Sequence, residues 1–336
     1  MLVDGFGRVA RDLRVSLTDR CNLRCTYCMP AEGLPWIPGA DLLDDDELIR
    51  VIGVAVRLGV REVRFTGGEP TLRPGLVGLV ARTMELDPTL EVSLTTNGIR
   101  LAKLARPLAE AGLARVNVSL DTLDRDRFRE MARRDRLADV LDGLAAADAA
   151  GLTPVKVNAV LMRGVNDHEA GDLLRFCLQH GYQLRIIEQM PLDAQHGWQR
   201  STMVTADETQ AQLQTEFDLV PADPEARGSA PAEDFVVDGG GPDGSWRVGI
   251  IASVTRPFCS ACDRLRLTAD GQVRNCLFSR TEADTRAVLR SGLPADQIDS
   301  GLAEVLTGEV ARKKAGHGID EPGFLQPQRP MSAIGG

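Results

Sequence analysis

From residue 13 to residue 190 the chain alternates, six times over, a short apolar or β-branched run with a stretch of helical periodicity. The runs fall at 13–17, 63–66, 92–95, 116–120, 155–161 and 184–187, and helical patterns lie between them at 46–58, 76–86, 101–111, 140–150 and 173–180. Parallel strands cannot be joined by tight hairpins and need a crossover, usually a helix. The alternation therefore predicts an α/β fold with a parallel sheet. Glycines stand where four of the helices should stop, at Gly59, Gly112, Gly151 and Gly181. The number and even spacing of the repeats favour a barrel-type arrangement over a doubly wound sheet. In such a barrel, chemistry belongs on the loops at the C-terminal ends of the strands.

After Met190 the pattern changes. Segments 221–234 and 238–245 are loop-like, and a strand-like stretch follows at 246–254. Runs at 265–267 and 272–273 flank Asp270-Gly271, a hairpin signal, and helical patterns follow at 283–289 and 298–310. The last dozen residues show no periodicity. Two domains are expected: a barrel over residues 1–220, and a smaller α+β domain with a tail over 221–336. No apolar run approaches the ~20 residues of a membrane helix, and the N-terminus lacks a signal-peptide core, so a cytoplasmic protein without membrane contact is expected. The formal net charge of −9 argues against general nucleic-acid binding, which needs a basic footprint. It leaves room for a small anion held by a few arginines.

Seven cysteines fall into two triplets and the singleton Cys177. An odd count without a secretory signal speaks against a disulfide framework. Cys21-x3-Cys25-x2-Cys28 follows the first strand, so three soft thiolates converge from one loop, the ligand type iron–sulfur clusters require. With three cysteines, a four-iron cluster keeps one iron free to chelate a small molecule. A structural zinc site is the other reading, but zinc usually takes four ligands in paired groups, and the histidines are remote in sequence. Cys259-x2-Cys262-x13-Cys276 offers three more thiolates around the expected hairpin. A zinc ribbon or a second open cluster would each explain them. Arg264 and Arg266, two apart on a strand, aim two guanidiniums to one side, a geometry suited to phosphate oxygens.

The first triplet, with Tyr27 before its last cysteine and Thr66-Gly67-Gly68-Glu69-Pro70 after the second strand, resembles the signature of the radical S-adenosylmethionine (radical SAM) superfamily, which implies a partial (β/α)6 TIM-like barrel, in keeping with the six repeats. Along residues 2–336 the chain resembles, more narrowly, the GTP 3′,8-cyclase family. The segments that carry the likeness include TDRCNLRCTYCMP, RFTGGEPTLR, TTNG, NVSLDT, VKVNAV, FCSACDRLRLTADG and the terminal Ile334-Gly335-Gly336. The resemblance implies two [4Fe–4S] clusters, one on Cys21, Cys25 and Cys28 and an auxiliary one on Cys259, Cys262 and Cys276. It implies S-adenosylmethionine contacts at Tyr27, Gly68, Ser119 and Met190. GTP contacts are implied at Arg14, Arg64, Thr95, Lys156, Arg264, Leu265 and Arg266, and a role in turnover for Gly335 and Gly336. Lys156 also stands out by itself, as a charge in an apolar strand pattern is rarely buried without a partner; Arg185 offers the same argument on the sixth strand. The implied activity is radical conversion of GTP in an early step of molybdenum cofactor (molybdopterin) biosynthesis. An electron donor such as flavodoxin or ferredoxin would serve it, and cyclic pyranopterin monophosphate synthase would receive the product, in a monomer or homodimer. The alternative is another two-cluster radical SAM enzyme acting on a peptide or other substrate. Two positions depart from the family: Asp263 where Asn or Thr is common, and Glu62 where Lys is common, both lowering positive charge near the expected nucleotide.

Overall fold

The computed structural model describes residues 1–335, with the backbone alone at Pro224 and Ala226. Gly336, one of the two glycines expected to act in turnover, lies outside the described residues. The strands are β1 (Asp12–Ser16), β2 (Glu62–Thr66), β3 (Glu91–Thr96), β4 (Arg115–Ser119), β5 (Lys156–Val160), β6 (Gln183–Ile187), β7 (Leu219–Pro221), β8 (Glu233–Val237), β9 (Arg247–Ile251), β10 (Arg264–Leu267), β11 (Gln272–Arg274) and β12 (Ala283–Asp284). They form a single sheet in the order β12-β11-β10-β1-β2-β3-β4-β5-β6-β9-β8-β7. β1 to β6 are parallel neighbours, as the alternation predicts. β10 pairs parallel with β1 and β9 parallel with β6, while the outermost strands on both sides are antiparallel. The strands after Met190 therefore build no sheet of their own. They extend the barrel sheet from both of its edges.

Between the first six strands run helices at Asp45–Arg57, Leu76–Leu86, Leu101–Glu110, Arg125–Ala132, Leu137–Ala149 and Ala170–Gln179. The first starts on a capping box: Asp44 accepts from Glu47 N at 2.8 Å, and the Glu47 carboxylate accepts from Asp44 N at 2.9 Å. The four expected glycines all take positive φ at the helix ends. Alternation along the strands sends Leu13, Val15, Val63, Phe65, Val92 and Leu94 outward into the core shared with Val51, Ile52, Val80 and Leu108. Their neighbours in sequence, Arg14, Arg64, Ser93 and Thr95, face the inner side.

That inner side is concave. Lys156 on β5 feels the charge of Arg64 on β2, and Arg64 feels Arg185 on β6. In a flat sheet these residues would stand ~14 and ~19 Å apart, at about 4.8 Å per strand. Coupling across three and four strands fits a sheet curled into a part-barrel. A smaller apolar cluster of Leu192, Phe278 and Ile334 packs with Met190 and Met331. It docks the last short helix, Met331–Ile334, in a segment that has no periodicity in sequence. No helix among the described residues is long and apolar enough to cross a membrane.

Candidate active site

The loop after β1 carries Cys21, Cys25 and Cys28, none of them in a disulfide. It is held by backbone bonds to the turn after β2: Gly68 N donates to Thr18 O at 2.7 Å and Glu69 N to Arg20 O at 2.8 Å. A Cβ on Gly68 would lie 2.5 Å from Arg20 O and collide with Asp19 O as well, so only glycine lets the two loops meet. The Glu69 carboxylate is buried, and its hydrogen bonds go to the chain itself. It accepts from Thr71 N at 3.0 Å, Thr96 Oγ1 at 2.7 Å and Asn97 N at 2.7 Å, tying β3 to the cysteine loop. Tyr27 donates its hydroxyl to Asp121 Oδ2 at 2.8 Å, and Asp121 Oδ1 accepts from Val160 N at 2.9 Å. Burial lifts Asp121 to about 6.

Burial pushes the Cys21 thiol up to about 11 and Cys28 to about 12. Cys25 is held well above its ordinary range by burial, by Asp121 and by its two sister thiols. The three groups thus crowd one another, and each resists carrying charge alone. Among the described residues no group of three or more His, Cys, Asp or Glu is arranged to hold a single metal ion. Three soft donors on one loop fit the cationic core of an iron–sulfur cluster.

Beside this loop the strand register builds a row of cations. Arg14 stands opposite Arg64 on β2 and opposite Arg266 on β10, with Asp12 opposite Arg264. These four guanidiniums are 5–9 % exposed and share one inner carboxylate, Asp12, whose Oδ2 is 3.6 Å from Arg14 Nε. Burial pushes Arg14 and Arg266 down to about 9, with help from the neighbouring guanidiniums. Asp12 resists the upward pull of burial because all four arginines stabilise its charge. Buried like charges at such density are costly unless an anion joins them. Arg14 Nε, Arg264 Nε and a terminal nitrogen of Arg264 have no hydrogen-bond partner, nor do Ser16 Oγ, Asn117 Oδ1, Asn158 Oδ1 and Gln189 Oε1. This is a cradle for a polar polyanion. Across the barrel Lys156 is held at about 7 by burial and by Arg185, Arg115 and Arg64.

The second triplet lies next to the same row. Cys259, Cys262 and Cys276 line a cavity of about 460 Å³ together with Asn275, Phe278 and Lys313. Arg264 of the row stacks over Phe258 at 4.4 Å. Burial works to raise the Cys262 thiol, but Arg264 and Lys313 outweigh it and leave Cys262 below its ordinary value. Here too three thiols on a short segment and its hairpin fit a cluster, in this case beside cations.

The structure brings together most of the residues singled out by sequence. Thr95 accepts from Asn117 Nδ2 at 3.5 Å, Ser119 ends β4 opposite Asn158, and Met190 borders the cluster that holds the tail. Arg266 donates to Gly335 O, which draws the tail to the ends of β1 and β2. There a Cβ on Gly335 would lie 2.7 Å from Thr66 Cγ2. Leu265 is different: its side chain is buried in the main core with Leu13, so only its backbone borders the arginine row. Cys177 is a fully buried core residue. Sequence reading missed Arg115, which pairs with Glu62 at 3.6 Å and with Glu91, and Lys313. Arg115 was findable, since it sits two and four residues before Asn117 and Ser119 on one strand face.

Residues 15–177 match the model of the radical SAM superfamily, and residues 182–319 that of the molybdenum cofactor synthesis C-terminal family. Among solved structures, Streptococcus suis SuiB bound to S-adenosylmethionine superposes with a TM-score of 0.60 at 15% identity, covering 90% of this chain and 68% of that one. Native anSMEcpe with bound AdoMet gives 0.57 at 14% identity, covering 91% and 81%. These likenesses bear on the fold. A cysteine loop after β1 of a partial barrel, locked to a Gly-Gly-Glu turn after β2, defines a radical SAM protein. A "GTP 3′,8-cyclase" of Streptomyces coelicolor is 63% identical over all of this chain and 96% of its own. A "GTP 3′,8-cyclase 2" of Mycobacterium tuberculosis is 60% identical over all of this chain and 92% of its own. The chain belongs to the GTP 3′,8-cyclase family.

Proposed function

We propose that this chain is a radical SAM lyase that converts GTP to (8S)-3′,8-cyclo-7,8-dihydroguanosine 5′-triphosphate, an early step of molybdenum cofactor biosynthesis. The observation that carries the reading is the row of four buried guanidiniums around one carboxylate, set between two thiol triplets. Cys21, Cys25 and Cys28 would hold a [4Fe–4S] centre, which together with S-adenosylmethionine would supply the radical chemistry for hydrogen abstraction at the ribose 3′ position. Tyr27, Gly68, Ser119 and Met190 line the S-adenosylmethionine side. Arg14, Arg64, Arg264 and Arg266 hold the triphosphate, with Lys156, Thr95 and the Leu265 backbone completing its surroundings. Because the strands fix these groups before the nucleotide arrives, they orient the ribose without further ordering. Gly335, held through its carbonyl by Arg266, would serve in turnover together with Gly336. Cys259, Cys262 and Cys276 would hold a second [4Fe–4S] centre, available to the guanine base. In this reading residues 1–220 form the radical domain and 221–336 the auxiliary-cluster domain. A flavodoxin- or ferredoxin-type protein gives the electron in the cytoplasm, and a cyclic pyranopterin monophosphate synthase takes the product.

The test is anaerobic reconstitution followed by incubation with GTP, S-adenosylmethionine and dithionite. Formation of 5′-deoxyadenosine in step with a cyclised nucleoside triphosphate is expected. Cleavage of S-adenosylmethionine that leaves GTP untouched would overturn the substrate. About eight irons per chain, for two four-iron clusters, should halve in a Cys259→Ala/Cys262→Ala/Cys276→Ala variant. Zinc at that triplet would remove the second centre.

A further inference from the structure

The two triplets differ in the balance of charge around them. Carboxylates predominate at the first, Glu69 near Cys21, Asp121 near Cys25 and Asp193 near Cys28, with Arg24 as a counter-charge at Cys21. Cations border the second: Arg264 and Lys313 at Cys262, Arg264 again at Cys259, and Arg266 and Arg274 within reach of Cys276.

Of these cations, Lys313 has no counterpart in the arginine row. It follows the long helix Ala295–Ala311 and is 7 % exposed. Its Nζ donates to Arg264 O at 2.7 Å, and no carboxylate among the described residues pairs with it. The ammonium lies against the Cys262 sulfur on the wall of the cavity lined by all three thiols. A buried ammonium without a carboxylate is costly unless another anion neutralises it. A cluster ligated by three thiolates is such an anion, and it gains a further negative charge on one-electron reduction. Hydrogen bonds to the sulfurs and nearby net charge set the potential of such centres.

We infer that Lys313 is a positioning residue that tunes the iron–sulfur centre at Cys259, Cys262 and Cys276, making it easier to reduce than the centre at Cys21, Cys25 and Cys28. The inference rests on the two-centre reading above. The reduction takes one electron from an external low-potential donor and forms or breaks no covalent bond at Lys313. Its side chain stabilises the added charge.

The test uses the full-length chain, reconstituted anaerobically. A Cys21→Ala/Cys25→Ala/Cys28→Ala variant isolates the second centre, and Cys259→Ala/Cys262→Ala/Cys276→Ala isolates the first. Iron and sulfide content is measured, and each is titrated with dithionite and redox dyes while the electron paramagnetic resonance signal is followed. The second centre should titrate at the higher potential. Adding Lys313→Met to its variant should lower the midpoint by at least a tenfold change in the reduction equilibrium, about 59 mV for one electron. Lys313→Arg should restore most of it. An unmoved midpoint in Lys313→Met at full iron content would overturn the inference. If Lys313→Met fails to retain iron, the order of the two midpoints decides, and a second centre at or below the first overturns it. Zinc or no metal in the variant that isolates the second centre would fail the two-centre reading itself, and the role of Lys313 with it.

Discussion

Gly68→Ala should damage the site through geometry alone. Gly68 needs no left-handed backbone, since it is absent from the positive-φ glycines, so the added methyl acts only by its bulk. Its Cβ would sit 2.5 Å from Arg20 O and 2.7 Å from Arg20 C, where real Cβ contacts stay beyond 3.0 Å. The obstacle is backbone, so the segment leading into Cys21 must retreat by about half an ångström or more. That retreat strains the bonds Gly68 N to Thr18 O and Glu69 N to Arg20 O, at about 1 kcal/mol each, and overpacking adds ~1–3 kcal/mol. We expect a loss of about 3–5 kcal/mol in stability. Turnover should fall further, because misplacement of a reacting group by ~1 Å can cost 10²-fold. Gly78→Ala is the control: it lies in a helix with nothing within 4 Å of the new methyl and should be neutral or stabilising by ~1 kcal/mol. Both variants would be followed by thermal denaturation, iron content after reconstitution and 5′-deoxyadenosine production. Wild-type iron content and turnover in Gly68→Ala would show that the two loops are not held at contact distance and refute the argument.

Three further results are expected. Arg14→Met should not lower the melting temperature of the ligand-free chain, because burial and its fellow guanidiniums already push Arg14 down to about 9. It should still weaken GTP binding by ~10–100-fold, the worth of a charge-assisted hydrogen bond, as calorimetry would register; a large fall in melting temperature would contradict this. Lys156 is held at about 7, below its ordinary 10.5, so the unfolded chain binds more protons than the folded one between those values. Ligand-free stability should therefore rise with pH from about 7 toward 10. GTP binding needs the ammonium, so affinity should fall over the same window with uptake of one proton, and equal uptake in Lys156→Met would refute the assignment. Gly335→Ala sets a methyl 2.7 Å from Thr66 Cγ2 at a backbone φ of 84°, so turnover should drop more than tenfold at normal iron content; unchanged turnover would sink the tail's role.

How far the sequence could be read depended on whether local pattern or distant pairing decided the outcome. The six barrel strands were legible because β-branched runs and capped amphipathic helices announce themselves within a dozen residues. Helix Arg125–Ala132 was missed because RDRFREMA offers only Phe128, Met131 and Ala132 as buried positions in a charged run. β7 and β8 were hidden for a related reason: Pro221 suits the antiparallel edge strand β7, and Glu233 and Asp234 open the antiparallel strand β8, but all three read as loop. The return of β10 to the edge of β1 has no local signature at all, and it is this pairing that lines up Arg14, Arg64 and Arg266. The cysteines and the Gly-Gly-Glu turn were legible as motifs. Lys313 was not, because its partner Arg264 lies 49 residues away.

The pairing of β10 with β1 also bears on how the molecule comes into being during synthesis. Arg14 and Arg266 are register partners across most of the chain, and translation proceeds at ~5–20 residues per second. For many seconds, then, a nascent barrel would display both open edges, β1 on one side and β6 on the other, with its inner arginines lacking their final neighbours. Such edges invite pairing with other chains, and contacts this distant in sequence form slowly. The binding row thus cannot be matured in stages. Until residue 267 has cleared the ribosome tunnel the anion cradle is only half present, and a chain stalled before that point should be a target for chaperones rather than a weak enzyme.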